Sequence, residues 1–321
     1  MKKTILSLAA ILMLFSCQNE PTDVTSIETS TSARRMCASQ EVLEAQLAAD
    51  PTLAIRMNEI EAFTQKSISN KNFRLSSTGK IIIPVVVNVL YKTAAENISD
   101  AQIASQIAVL NKDFTATNSD FGSIPSLFSG VAANVDITFE LVTINRKATT
   151  KTSWGTRDAM KKSKQGGINP TDPSKNLNFW ICTIGGGILG YAQFPGGSSA
   201  TDGVVCDSKY VGVTSNSGAA YPYNLGRTAT HEVGHWMNLR HIWGDATCGS
   251  DLVTDTPTHN AANYGVPVYP HLSTCTGTPV EMTMNYMDYT DDRGMYMFTN
   301  GQKSRMSAIF LSGGARSGFG I

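Results

Sequence analysis

Charge is scarce in this chain. Charged residues make up 16% of 321, 26 Lys and Arg balance 26 Asp and Glu, and the formal net charge is +0. A chain with no basic excess has no polycationic face to neutralise phosphates, so no nucleic-acid partner is expected. Long apolar runs are missing too. The stretch Ile5 to Phe15 is too short to cross a bilayer stably as a helix. Histidine is rarer still, with 5 residues, and cysteine is limited to Cys17, Cys37, Cys182, Cys206, Cys248 and Cys275. What remains is 41% apolar and rich in Gly, Ser, Thr and Asn, enough for a buried core in one large domain or two modest ones.

The chain opens MKKTILSLAAILMLFSC, in the order basic, apolar, small, which is the order of a secretory signal over residues 1–17. Leu14 to Cys17 resembles a bacterial lipoprotein cleavage box, whose processing would leave a lipid on Cys17. Ordinary signal cleavage would remove that residue instead. An exported protein follows, either an outer-membrane or cell-surface lipoprotein touching the membrane only through its lipid, or one secreted after processing. Export permits disulfides. With Cys17 set aside, five cysteines remain, and an odd thiol in an exported protein calls for an explanation.

Residues 18–32 are Ser/Thr-rich and read as a tether. From Gln40 to about Ser67 apolar residues recur at helical spacing, broken at Pro51, and 68–79 form a polar connector. We place a domain boundary there, with a tether and helical segment over 18–79 and one domain over 80–321. Ile81 to Tyr91, IIIPVVVNVLY, has the β-branched continuity of a strand buried on both faces. Ser99 or Asp100 can cap a helix whose stripe is Ile103, Ile107, Leu110 and Phe114. Val135–Ile144, Asn176–Thr183, Ile188–Phe194 and Gly203–Val213 are further strand candidates. A helix between strands points to an α/β (α+β) domain, a mixed sheet with helices packed on it.

Three of the five histidines crowd into HEVGHWMNLRH, His231 to His241. On a helix, His231 and His235 lie one turn apart on one face, so both imidazoles can reach one zinc ion. Glu232 can take a proton from a water activated there. A continuous helix would point His241 about 120° away from His235. The helix must therefore stop, and Asn238, which tolerates positive φ, sits where the turn should fall.

HEVGHWMNLRH resembles the long zinc motif HExxHxxGxxH of metzincin metalloproteases, with Asn238 in the glycine place. NYMDY, Asn285 to Tyr289, resembles the Met-turn of the same proteins. With DTP (Asp255 to Pro257), NYMDYTDD, FTNGQKSRM and GGGILGYAQFPGG, residues 80–321 are similar to the pappalysin family and its bacterial members. The resemblance implies a twisted mixed five-stranded sheet with an edge strand over the cleft, an active-site helix and a backing helix. It also implies a division at 80–241 and 242–321, the second part mostly irregular, with the Met-turn and a C-terminal helix. It implies zinc on His231, His235 and His241, Glu232 as general base and then acid, Met287 beneath the site, and Tyr289 beside the metal. Asp251, Thr254 and Thr256 match a calcium loop. The edge strand for an extended polypeptide substrate would be Leu189, Gly190, Tyr191 and Ala192.

The resemblance further implies a disulfide between Cys248 and Cys275, while Val266 and Gly294 stand where a second bridge is often found. Cys182 and Cys206, in adjacent strand candidates, can pair. Cys37, in Arg35-Met36-Cys37-Ala38, matches a cysteine switch that would fill the open zinc position of a zymogen. Family members often favour arginine after the scissile bond. Asp291 or Asp292 is the candidate counter-charge, and Phe73–Arg74 is a candidate self-cleavage bond. The expected protein is an exported, monomeric zinc metalloendopeptidase. The competing readings are a catalytically silent surface binding lipoprotein on the same scaffold and a metal-dependent hydrolase of a non-peptide bond.

Overall fold

The computed structural model describes residues 34–70, 80–215 and 220–319. The signal segment, the tether and the connector residues 71–79, with the Phe73–Arg74 bond, lie outside the described residues. Residues 34–321 fall in one compact unit. In chain order this unit contains helices α1 (Ser39–Ala49) and α2 (Thr52–Ser69), strand β1 (Ile81–Tyr91), helix α3 (Asp100–Phe114) and a single turn α4 (Ser126–Ser129). Strands β2 (Ile137–Ala148), β3 (Leu177–Cys182), β4 (Gly190–Ala192) and β5 (Val204–Asp207) follow, then helices α5 (Arg227–Trp236) and α6 (Asn300–Ala308).

The strands form one sheet in the order β2-β1-β3-β5-β4. Four run parallel, and β4 closes the edge antiparallel to β5. Parallel strands need both faces covered, and β1 meets that demand: Ile83, Val85, Val87 and Val89 are fully buried on one face, and Leu90 on the other. The first face packs on α3 through Ile103, Ile107, Leu110 and Phe114, and on α5 through Ala229, Val233 and Trp236. Ser99 caps α3, its hydroxyl accepting from the Gln102 amide at 3.1 Å. Helix α3 thus backs α5, every residue of which is buried.

The second face carries a smaller core of Trp154, Met160, Trp180, Cys182, Tyr191 and Val205. This face explains a correction. Cys182 and Cys206 are not bridged; both are free and buried. In the β3–β5 register Cys206 stands opposite Ile181, one residue from Cys182. Because side chains alternate with period two, Cys206 enters the core under α5 while Cys182 enters the other. The strand expected over Gly203–Val213 is also shorter, ending at Asp207.

After α5 the chain is mostly irregular, held by a disulfide between Cys248 and Cys275. Met282, Met284, Met287, Met295 and Met297 join the same core as the β1 face packed on α3 and α5. Helix α6 opens with a capping box formed by Thr299 and Gln302.

Candidate metal centre and cleft

Helix α5 stops at Trp236, and Asn238 adopts φ 73°. The Asn238 amide still reaches the His235 carbonyl at 2.9 Å, and the Leu239 amide reaches back to Gly234 at 3.0 Å. This left-handed turn at the helix end reverses the chain. His241 therefore swings towards the histidines of the helix. His235 Nε2 lies 3.1 Å from both His231 Nε2 and His241 Nε2. The Cys37 thiol completes a group whose ligand atoms all lie within 4.8 Å of one another.

The outer nitrogens fix the tautomers. His231 Nδ1 meets the Tyr286 carbonyl at 2.7 Å and His235 Nδ1 the Leu239 carbonyl at 2.8 Å. Carbonyls only accept, so both Nδ1 atoms carry hydrogen and both Nε2 atoms present lone pairs. Asp245 engages His241 Nδ1 in the same way. Three inward lone pairs cannot satisfy one another in a buried site, and a cation resolves the conflict. Ligand nitrogens about 2.0–2.1 Å from a tetrahedral zinc lie about 3.3 Å apart, close to the observed spacing. Burial, reinforced by the neighbouring rings, holds His231 well below the usual imidazole range and His235 down to about 3, so both stay neutral as ligation requires. Trp243 stacks on His241 at 4.3 Å.

Glu232 is buried beside this cluster. Burial pushes its carboxyl up to about 7, against hydrogen bonds from Ser39 and Cys37 and the charge of Arg35. Gly190 of β4 passes so close that an added Cβ would stand 2.9 Å from Glu232 Cγ. Met287 lies under α5, where an added Cβ at Gly234 would meet its sulfur at 2.5 Å. The glycine inside the histidine motif is thus matched to the Met-turn. Tyr289 is half-buried, and its hydroxyl donates to the Cys37 carbonyl at 3.1 Å.

The N-terminal segment fills the cleft. Along β4, the Leu189 amide donates to the Met36 carbonyl at 2.9 Å, the Ala38 amide to the Gly190 carbonyl at 3.1 Å, and the Ala192 amide to Ser39 Oγ at 2.8 Å. The edge expected to meet an extended chain therefore already meets one. The Tyr191 side chain turns away, its hydroxyl donating to Asp158 at 3.0 Å. Ala38 adopts φ −101°, a conformation that needs no glycine. Cys37 Sγ lies 3.3 Å from Glu232 Oε2, and the Ser39 hydroxyl donates to the same oxygen at 2.9 Å. Arg35 is buried against Asp292, donating also to the Thr290 carbonyl at 3.1 Å, with its guanidinium 4.8 Å over the Tyr223 ring. Of the two aspartates in question, Asp292 is the one that meets an arginine.

The loop residues Asp251, Thr254 and Thr256 lie apart from this cleft group. Thr256 Oγ1 is 3.0 and 2.9 Å from the two Asp251 oxygens, and Thr254 is exposed. Sequence reasoning missed Asp245, Ser39, Trp243 and the Arg35–Asp292 pair. Asp245 had a usable signal, an acid four residues past the last histidine of the motif.

Residues 167–311 match the profile of the Pregnancy-associated plasma protein-A peptidase family. Extracellular metalloprotease 1 of Coccidioides posadasii is 36% identical over 227 residues, covering 66% of this chain and 70% of that one. An extracellular metalloprotease of Pyricularia oryzae is 33% identical over 277 residues, covering 84% and 81%. Among solved structures, a Tannerella forsythia promirolysin mutant is 39% identical, covers 88% of this chain and 96% of its own, and superposes with a TM-score of 0.79. Mature mirolysin of the same organism in complex with a cleaved peptide gives 43% identity, 75% and 96% coverage and a TM-score of 0.72.

Proposed function

The chain belongs to the pappalysin family of zinc metalloendopeptidases, and from that premise we propose that His231, His235 and His241 hold the zinc, that Glu232 moves the protons, and that Cys37 keeps the enzyme latent. The observation that carries this reading is the convergence of three histidine Nε2 atoms, with the buried Glu232 carboxyl beside them and a sheet edge above. A zinc ion there supplies Lewis acidity, making water a nucleophile near neutral pH and polarising the scissile carbonyl.

The chain's own groups do the rest. The free edge of β4 binds an extended substrate through backbone hydrogen bonds. Glu232, next to His231 and buried at the histidine cluster, takes the proton from the attacking water and gives it to the leaving amine. The Tyr289 phenol, now on the Cys37 carbonyl, donates to the oxyanion developing on the substrate carbonyl. Asp292 receives an arginine after the scissile bond, in the place Arg35 now holds. Cleavage on the N-terminal side of arginine follows.

Latency is read from the same contacts. The segment over 34–69 takes the β4 edge, the Asp292 pocket, Glu232 and the position next to the histidines together. Cutting the connector would let it leave, giving a catalytic domain over 80–321. Asp251, Thr254 and Thr256 would hold calcium, to be checked by calorimetric titration. The extracellular names of the relatives and the N-terminal sequence support export; a lipid on Cys17 would be read from the intact mass.

The test is hydrolysis of a denatured protein by activated enzyme, with and without chelator, beside Glu232→Gln. We expect chelator to abolish cutting and zinc to restore it. The variant should lose about 10³-fold in rate or more while keeping its zinc. Equal cutting by Glu232→Gln would refute the assigned roles.

A further inference from the structure

We propose that Tyr264 forms a second subsite for a cationic side chain next to the Asp292 pocket, so that the enzyme favours a second arginine directly after the first. This rests on the reading of Asp292 given above.

The prosegment lays out the order of sites. Cys37 lies at the histidines, Arg35 is buried against Asp292, and Arg34 comes next, its guanidinium 5.0 Å from the centre of the Tyr264 ring. Moving away from the histidines, the cleft therefore offers a carboxylate and then an aromatic face. The segment pairs with β4 in parallel at Cys37 and Gly190; a substrate running antiparallel to that edge reverses the order, so that arginine just past its scissile bond takes the place of Arg35 and its following side chain meets the Tyr264 face.

Tyr264 is held there independently of Arg34. Its ring lies 6.0 Å from Tyr289, edge towards face, on the wall of the cleft. Gly265 takes φ 67°, and its carbonyl accepts from the Asp291 amide at 2.8 Å. One backbone hydrogen bond thus ties the residue after Tyr264 to the residue before Asp292. Val266 packs on Gly294, where an added Cβ would stand 3.2 Å from its methyl. Tyr264 is 40% exposed, open to an incoming side chain. A planar guanidinium suits such a face by stacking and by the ring quadrupole. At a half-exposed site that attraction corresponds to about two- to fivefold in binding.

The test uses the full chain, zinc-loaded and activated by limited proteolysis, with three peptides that differ only after the scissile bond: Arg-Arg, Arg-Ala and Ala-Arg. Wild-type kcat/KM should be about two- to fivefold higher for Arg-Arg than for Arg-Ala, and lowest by far for Ala-Arg. In Tyr264→Leu the ratio of Arg-Arg to Arg-Ala should fall to about one; in Tyr264→Phe, which keeps the ring, it should persist. Equal rates for Arg-Arg and Arg-Ala in the wild type, or a ratio that survives in Tyr264→Leu, would overturn the second subsite alone. Ala-Arg cut as fast as Arg-Arg would overturn the Asp292 reading and the subsite with it.

Discussion

Asn238 shows how one residue can decide whether a site forms. Its left-handed conformation is the joint between two histidines on a helix and a third beyond it. An L-residue without a short polar side chain pays roughly 1–2 kcal/mol in that region, and glycine pays none. Asn238→Gly should leave thermal stability and zinc content near wild type. Asn238→Ala should cost about 1 kcal/mol and weaken zinc retention during dialysis against a mild chelator. Equal behaviour of the two variants would mean that φ is not what holds the turn. Asp113 makes a different residue-scale case. Burial lifts its carboxyl to about 6, although Arg227 and the Thr230 hydroxyl pull it down. A folded-state pKa above the unfolded value of about 3.9 gives a contribution fully present below about pH 4 and lost as pH rises through about 6. Asp113→Asn removes that slope, so its Tm relative to wild type should be higher at pH 8 than at pH 5. A difference that stays constant between those pH values would contradict this.

Among the elements, the short edge strand and the loops around it carry the most consequence. The histidine motif was legible because helical spacing is a local rule: His231 and His235 share a face wherever the helix forms. The turn was legible because so few residue types tolerate positive φ. The fate of Cys182 and Cys206 was not, since adjacency of two strands is readable but the parity of their register is not. A one-residue offset sends the two thiols to opposite faces. The loop over Tyr264 to Leu272 offers a test at this scale. Val266 and Gly294 touch, as positions able to carry a disulfide must. The double substitution Val266→Cys and Gly294→Cys should form a bridge without reshaping the fold, giving about 2 kcal/mol or more and a higher Tm when oxidised than when reduced. Two persistent free thiols under oxidising conditions would show that the contact lacks the required geometry.

At the scale of the whole molecule, the N-terminal segment helps to build the cleft. Ser39 meets Glu232 across 193 residues of sequence and Arg35 meets Asp292 across 257. No local pattern could reveal such pairs; only the folded sheet edge brings them together. Further from the cleft, Arg305 of α6 is buried and paired with Glu61 of α2 at 2.8 Å, and its guanidinium lies 3.4 Å from the Asn238 carbonyl. The segment is therefore held at the histidine cluster, against Asp292 and next to the Asn238 turn. Latency should be graded accordingly: Cys37→Ala should raise precursor activity on a peptide substrate, and adding Arg35→Ala should raise it further. A Cys37→Ala precursor as silent as wild type would remove the thiol from the account.

The claim beneath all of this is that three imidazoles and one removable thiol surround a single zinc ion. Zinc X-ray absorption on the full-length precursor and on the activated enzyme reads it directly. We expect one zinc per chain, with three nitrogens and one sulfur before activation, and three nitrogens with oxygen in place of the sulfur afterwards. A folded precursor without stoichiometric metal, or a zinc with fewer than three histidine nitrogens, would contradict it.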